Sequence, residues 1–185
     1  ILRMFGVPEE KRLIPAKPKD ARAMLQEIEG DLNRISKLIP MQELIQVVGM
    51  WTNGLVRQLT NYPPDIMIEK WIYDDYPELR SYQLQSLERQ NQQALKGISR
   101  KVQMTTPTKI YDSSNIMNYV FFNLLGSHIK ADLARPYRNT PFSKKGKQLL
   151  KLTEKNYMNS YEGDMAMIDR WAEFLGLSKW YSWVE

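Results

Sequence analysis

The sequence predicts an all-α fold of six to seven helices packed around two apolar central helices, at about residues 41–60 and 114–131. Three observations carry that expectation. Apolar residues recur at intervals of three and four through most of the chain, the period that gathers side chains into one stripe of an α-helix. Two stretches, LIQVVGMW and NIMNYVFFNLLG, are apolar on nearly every side, and a helix of that kind is one that other elements surround. Only VQMTTPTKIY looks strand-like, and Pro107 within it reduces the expectation to an extended connection. With 185 residues, 43% of them hydrophobic and 25% charged, the chain is long enough to bury a core as one globular domain.

Residues 1–19 contain Pro8, Pro15 and Pro18 without a sustained period and read as an extended arm, leaving 20–185 as a single helical domain. Asp20 is the expected N-cap of a first helix striped by Met24, Leu25, Ile28, Leu32, Ile35 and Leu38, and Pro40 ends it. The first central helix follows from Met41. Its Gly49 and Gly54 each cost about 1 kcal/mol relative to alanine and suggest close packing or a bend. Pro63 and Pro64 are expected to break this helix and open another that buries Ile66, Ile68, Trp71 and Ile72.

Pro77 suits the first turn of a further helix anchored by Leu79, Tyr82, Leu87, Leu95 and Ile98, with a stop near Gly97 and glutamines making an exposed polar face. Ser113 or Ser114 caps the second central helix. After the turn Asn139-Thr140-Pro141, FSKKGKQLLKLTEKNY forms an amphipathic helix with Leu149, Leu150 and Leu152 inward. GDMAMIDRWAEFLGL supplies the last helix through Met165, Ile168, Trp171, Phe174 and Leu175. The tail Trp180, Tyr181, Trp183 and Val184 is expected to close the core.

Composition narrows the chemistry. The absence of cysteine excludes disulfides and thiolate metal sites, and the single histidine, His128, leaves no second imidazole for a histidine-based zinc site. His128 is expected to cap carbonyls near the end of its helix, and Asp74, Asp75 and Glu78 to complement a helix N-terminus. No apolar run reaches the roughly 18 residues of a membrane span, which argues against a membrane protein. Neither G-x-G-x-x-G nor G-x-x-x-x-G-K-[ST] occurs, so the common nucleotide-binding loops are absent. The lack of cysteine, with no signal peptide at the start of the chain, favours a cytoplasmic location.

One stretch has the spacing of a metal motif. A zincin protease places two histidines four apart on one helical face, with a glutamate beside the first as general base, so that both imidazoles reach one zinc. Gln42-Glu43-Leu44-Ile45-Gln46 has that spacing with neutral amides, which are poor zinc ligands, in place of both histidines. The run Asn61-Tyr62-Pro63-Pro64-Asp65, Ile68-Glu69, Ile72-Tyr73 and Tyr76-Pro77-Glu78-Leu79-Arg80 resembles the segment after the active-site helix of uncharacterised bacterial zincin-like metallopeptidases of the gluzincin type. The resemblance implies that Gln42 and Gln46 stand at the histidine positions, that Glu43 occupies the general-base position and that Glu69 is the third ligand. Zinc is the implied cofactor only if the peptidase reading holds; otherwise none is expected.

A second stretch is basic. Arg135, Arg138, Lys144, Lys145, Lys147 and Lys151 cluster with Tyr137 and Phe142 interleaved, in a chain of net charge +5 and pI near 9.3. Cations can neutralise phosphates while aromatics stack on unpaired bases, so residues 135–155 are a candidate nucleic-acid surface. Lys144, Lys147 and Lys151 fit equally the wet face of an amphipathic helix. The expected function is a non-catalytic helical domain, a degenerate zincin-like relative acting through protein binding or as part of a larger protein. The alternatives are a basic nucleic-acid-binding module and a metallopeptidase, a metal-dependent hydrolase, whose motif lies outside this chain.

Overall fold

The computed structural model describes residues 7–8, 14–16 and 21–184. Most of the arm and the expected cap Asp20 therefore lie outside the described residues. The fold is all-α, as the periodicity predicts, with eight α-helices among the described residues. One short antiparallel ribbon accompanies them. β1 (Ile14–Ala16) pairs with β2 (Ser182–Val184) in the register Ile14↔Val184. No helix among the described residues is long and apolar enough to cross a membrane.

The expected first helix is two. α1 (Ala21–Gln26) and α2 (Glu29–Ile35) are separated by a turn in which Glu27 and Ile28 donate to the carbonyls three residues before them. Met24, Ile28 and Ile35 face the core, while Leu25 and Leu38 of the expected stripe are exposed.

α3 (Met41–Asp75) is the largest departure from expectation, because the chain runs helical straight through Pro63 and Pro64. Proline's fixed φ suits a helix, but each ring removes an N–H and so leaves the carbonyl four residues earlier without its usual donor. Contacts with α6 (Thr108–Ile129) hold the segment in line. The Tyr62 ring stacks on Phe121 with centroids 4.2 Å apart, and its hydroxyl donates to Asn118 Oδ1 at 2.9 Å. Nor is the first half of α3 surrounded, as its apolar composition suggested. Leu44, Leu55 and Leu59 are buried, but Met41, Ile45 and Met50 are 63%, 67% and 72% exposed. Trp71, expected inward, is also exposed.

A 3-10 turn at Pro77–Leu79 leads into α4 (Arg80–Lys96), which stops at Gly97 as anticipated. Leu87 is its fully buried anchor, whereas Leu79 and Tyr82 face solvent. Two amides in the supposedly polar segment, Gln83 and Asn91, turn inward; Asn91 Nδ2 donates to the Leu133 carbonyl at 2.8 Å. The strand-like stretch is helical on both sides of its proline, with α5 (Arg100–Thr105) before and α6 after. Pro107 forces its predecessor, Thr106, into the extended region at φ −120°, ψ 141°.

α6 begins before Ser113 and Ser114, which lie inside it, and is buried along most of its length. Proline cannot cap its N-terminus with a side chain, so a carboxylate arrives from α2. Asp31 Oδ2 accepts from the Thr108 N–H at 2.7 Å. α7 (Phe142–Asn156) packs so closely on α6 that a Cβ at Gly146 would enter the Tyr119 ring. α8 (Tyr161–Leu175) is capped by Ser160, which accepts from Gly163 N at 3.0 Å, and ends at Gly176 with φ 68°. Trp171 is fully buried, its Nε1 donating to Thr153 Oγ1 at 2.9 Å. Trp180 and Tyr181 close the core as expected, Trp180 fully buried and donating to Glu27 Oε2 at 3.1 Å, whereas Val184 faces solvent.

Candidate functional site

The peptidase-like residues are strung along one helix. Gln42, Glu43 and Gln46 are exposed on the first turns of α3. Glu69 lies 26 residues beyond Glu43 on the same helix, about 39 Å at 1.5 Å per residue. One ion cannot touch both ends of that span. Glu69 instead accepts from Gln83 Nε2 through its carboxylate at 2.5 Å and its carbonyl at 2.7 Å. One turn earlier, burial and the neighbouring Glu69 charge push the Asp65 carboxyl up to about 6. Among the described residues, no three histidine, aspartate or glutamate side chains gather as a metal site.

The basic segment divides between solvent and core. Arg135 and Arg138 are exposed around the 3-10 turn Arg135–Tyr137, and Arg138 pairs with Asp132 at 2.5 Å. Lys144, Lys145, Lys147 and Lys151 are exposed on α7. The interleaved aromatics are turned inward, contrary to the stacking expectation: Tyr137 lies parallel to Phe122 and Phe142 meets Tyr111 edge-on, all within the core. An apolar ring gains more from the core than from water, and Phe142 shares the inner face of the helix with Gly146, Leu149 and Thr153.

His128 also departs from expectation. Its Nε2 lies 2.9 Å from Asp74 Oδ1 at the C-terminal end of α3, and its ring meets Tyr73 edge-on. The end of α6 is closed instead by Lys130 in the left-handed region, with Ala131 N donating to the Gly126 carbonyl. Asp74 and Asp75 thus finish a helix, where they were expected to begin one. His128 and Asp74 border a cleft of about 660 Å³ with Trp71, Asn159 and Lys70, whose ammonium pKa burial lowers.

A polar network sits where α3, α4, α5 and α6 meet, around a cavity of about 380 Å³. Gln58 reaches from α3 to α6: its Nε2 donates to Asn118 Oδ1 at 2.8 Å and to the Ser114 carbonyl at 3.1 Å, and its Oε1 accepts from Ser114 Oγ at 2.7 Å. Burial pushes the Tyr62 hydroxyl up to about 12, keeping it a donor to Asn118. Asn115 Nδ2 donates to the Tyr111 carbonyl at 2.8 Å, but Asn115 Oδ1 is buried without a partner. An orphaned acceptor of that kind costs about 1–3 kcal/mol. Sequence reasoning passed over this group. Its signal was three amide or hydroxyl residues, Ser114, Asn115 and Asn118, inside an otherwise apolar helix, where polar groups demand partners.

Comparison of the chain with known protein families, with curated proteins and with solved structures gives no match.

Proposed function

We propose that this chain is a non-catalytic helical domain, a degenerate relative of zincin-like metallopeptidases, that acts by binding another protein. The observation that carries this reading is the exposed apolar ridge of Met41 and Ile45, which are 63% and 67% exposed four residues apart on the first turns of α3. Such spacing matches the grooves of a partner helix, and burying large apolar side chains that otherwise face water favours association. Gln42, Glu43 and Gln46 border the ridge as a polar rim. The likeness of residues 41–80 to the peptidases supports the ancestry, and amides at both histidine positions support the loss of zinc chemistry.

A photo-crosslinking amino acid at Ile45, introduced in the source cells, is expected to give one discrete protein adduct that Met41→Asp removes. The same crosslinker at Lys147 is expected to give none. Absence of an adduct at position 45 counts against the reading. Metal analysis that finds stoichiometric zinc, lost in Glu69→Ala, would replace it with a hydrolase.

One observation favours a second reading, a nucleic-acid-binding module using residues 135–155. Lys144, Lys147 and Lys151 make no ion pair among the described residues. Salt-sensitive retention of a generic oligonucleotide, lost when Lys144, Lys145 and Lys147 become alanine, would support that module.

A further inference from the structure

The cleft of about 660 Å³ lies at the other end of α3 from the ridge and carries its reactive groups on its own wall. Met67, Ile68 and Trp71 make the wall's apolar part. Trp71 is 49% exposed, and its ring is braced edge-on by Tyr76 with centroids 5.4 Å apart. Lys70 and Asp74 stand one turn apart on the same side of α3, and both line the cleft.

Lys70 is half-buried and makes no ion pair among the described residues. Burial lowers its pKa against the opposing pull of Glu154 on α7 and Asp74, so its amine becomes neutral more readily than that of a lysine in water. His128 completes the group from α6. Its Nε2 lies 2.9 Å from Asp74 Oδ1, and a carboxylate only accepts. In the neutral ring Nε2 therefore carries the proton and Nδ1 is the basic nitrogen. Asp74 and Asp75 on the wall repel an anion, and the Lys70 ammonium opposes a cation. A neutral electrophile meets neither obstacle.

We propose that this cleft captures a small aldehyde with an apolar body as a reversible imine on Lys70 Nζ, the body lying on Trp71 and His128 moving the protons. The Lys70 lone pair forms a bond to the carbonyl carbon as the C=O π pair moves to oxygen. Nitrogen then gives up two protons, both of which His128 Nδ1 carries to that oxygen. The C–O bond breaks, water leaves and C=N remains. No oxidant or reductant takes part, hydrolysis reverses the capture, and the site is independent of a protein partner on the ridge.

Benzaldehyde with cyanoborohydride tests the inference, because the reductant fixes each imine as a benzylamine that peptide mass mapping locates. At neutral pH Lys70 is expected to be benzylated roughly tenfold faster than the exposed Lys144 and Lys147, a modest share of what a positioned proton carrier supplies. The preference is expected to vanish in urea, and Lys70→Arg to leave only the slow surface labelling. Trp71→Ala is expected to slow Lys70 about fivefold through lost apolar contact. His128→Ala is expected to slow it about tenfold, with recovery when imidazole is added to the buffer. Labelling of Lys70 no faster than Lys147 in the folded parent overturns the proposal without recourse to any variant. A preference that survives urea, or a rate indifferent to both Trp71→Ala and His128→Ala in variants whose circular dichroism melts match the parent, would overturn it too.

Discussion

Gly54 and Gly146 lack the same methyl group for opposite reasons. At Gly54 an added Cβ would stand in open space, so Gly54→Ala should raise stability by about 0.5–1 kcal/mol through backbone entropy alone. At Gly146 it would enter the Tyr119 ring, and Gly146→Ala should cost about 1–3 kcal/mol as the two helices move apart. Urea unfolding of the two variants measures both signs. Asp65 makes a pH-dependent prediction. Its carboxyl titrates near 6 in the folded chain against an ordinary value of 3.8, so between those values the folded protein keeps a proton that the unfolded chain releases. Its contribution therefore makes stability fall as pH rises through that window and stay level above it. Asp65→Asn should unfold at a higher urea concentration than the parent at neutral pH, with the gap vanishing below 3.8. Equal midpoints at neutral pH would show that Asp65 is not held in a desolvated site.

At the scale of elements, α3 decides the most. A proline inside a helix costs about 3 kcal/mol relative to alanine, part of which the stiffer unfolded chain returns. Pro64→Ala should therefore stabilise the protein by about 2 kcal/mol if α3 is one helix. If the chain breaks there and Pro64 sits in a first turn, the change should be neutral or unfavourable. The same experiment bears on the metal reading, because only a break could fold Glu69 back toward Glu43. α6 depends on its borrowed cap. Asp31→Ala removes the acceptor for the Thr108 N–H and should cost about 1 kcal/mol, with loss of amide protection in the first turn of α6 seen by hydrogen exchange.

At the scale of the molecule, residues 14–16 and the turn after α1 meet the tail. Glu27, in the turn between α1 and α2, pairs with Lys109 of α6 and accepts from Trp180 of the tail, while β1 pairs with β2. Trp180→Ala should cost about 3–5 kcal/mol and loosen α1 together with the tail, because one buried indole supports both. A thermal melt with hydrogen exchange on α1 separates this shared closure from a purely local loss.

The sequence by itself determined the all-α class, the inward turn of Trp171 and Trp180 and the stop of α4 at Gly97. Each follows from a period or a local backbone preference carried by neighbouring residues. Only the tertiary structure decided the rest. Pro63 and Pro64 remain helical because Tyr62 and Gln58 are held from α6, a partner about sixty residues away. Apolar composition could not reveal that Met41, Ile45 and Met50 face outward, since burial depends on what packs opposite. The peptidase spacing was legible, but whether Glu43 and Glu69 approach one another depends on the path of the chain between them. The amide cavity combines Gly54, Gln58 and Asn115 from two helices, so it exists only once α3 and α6 are packed.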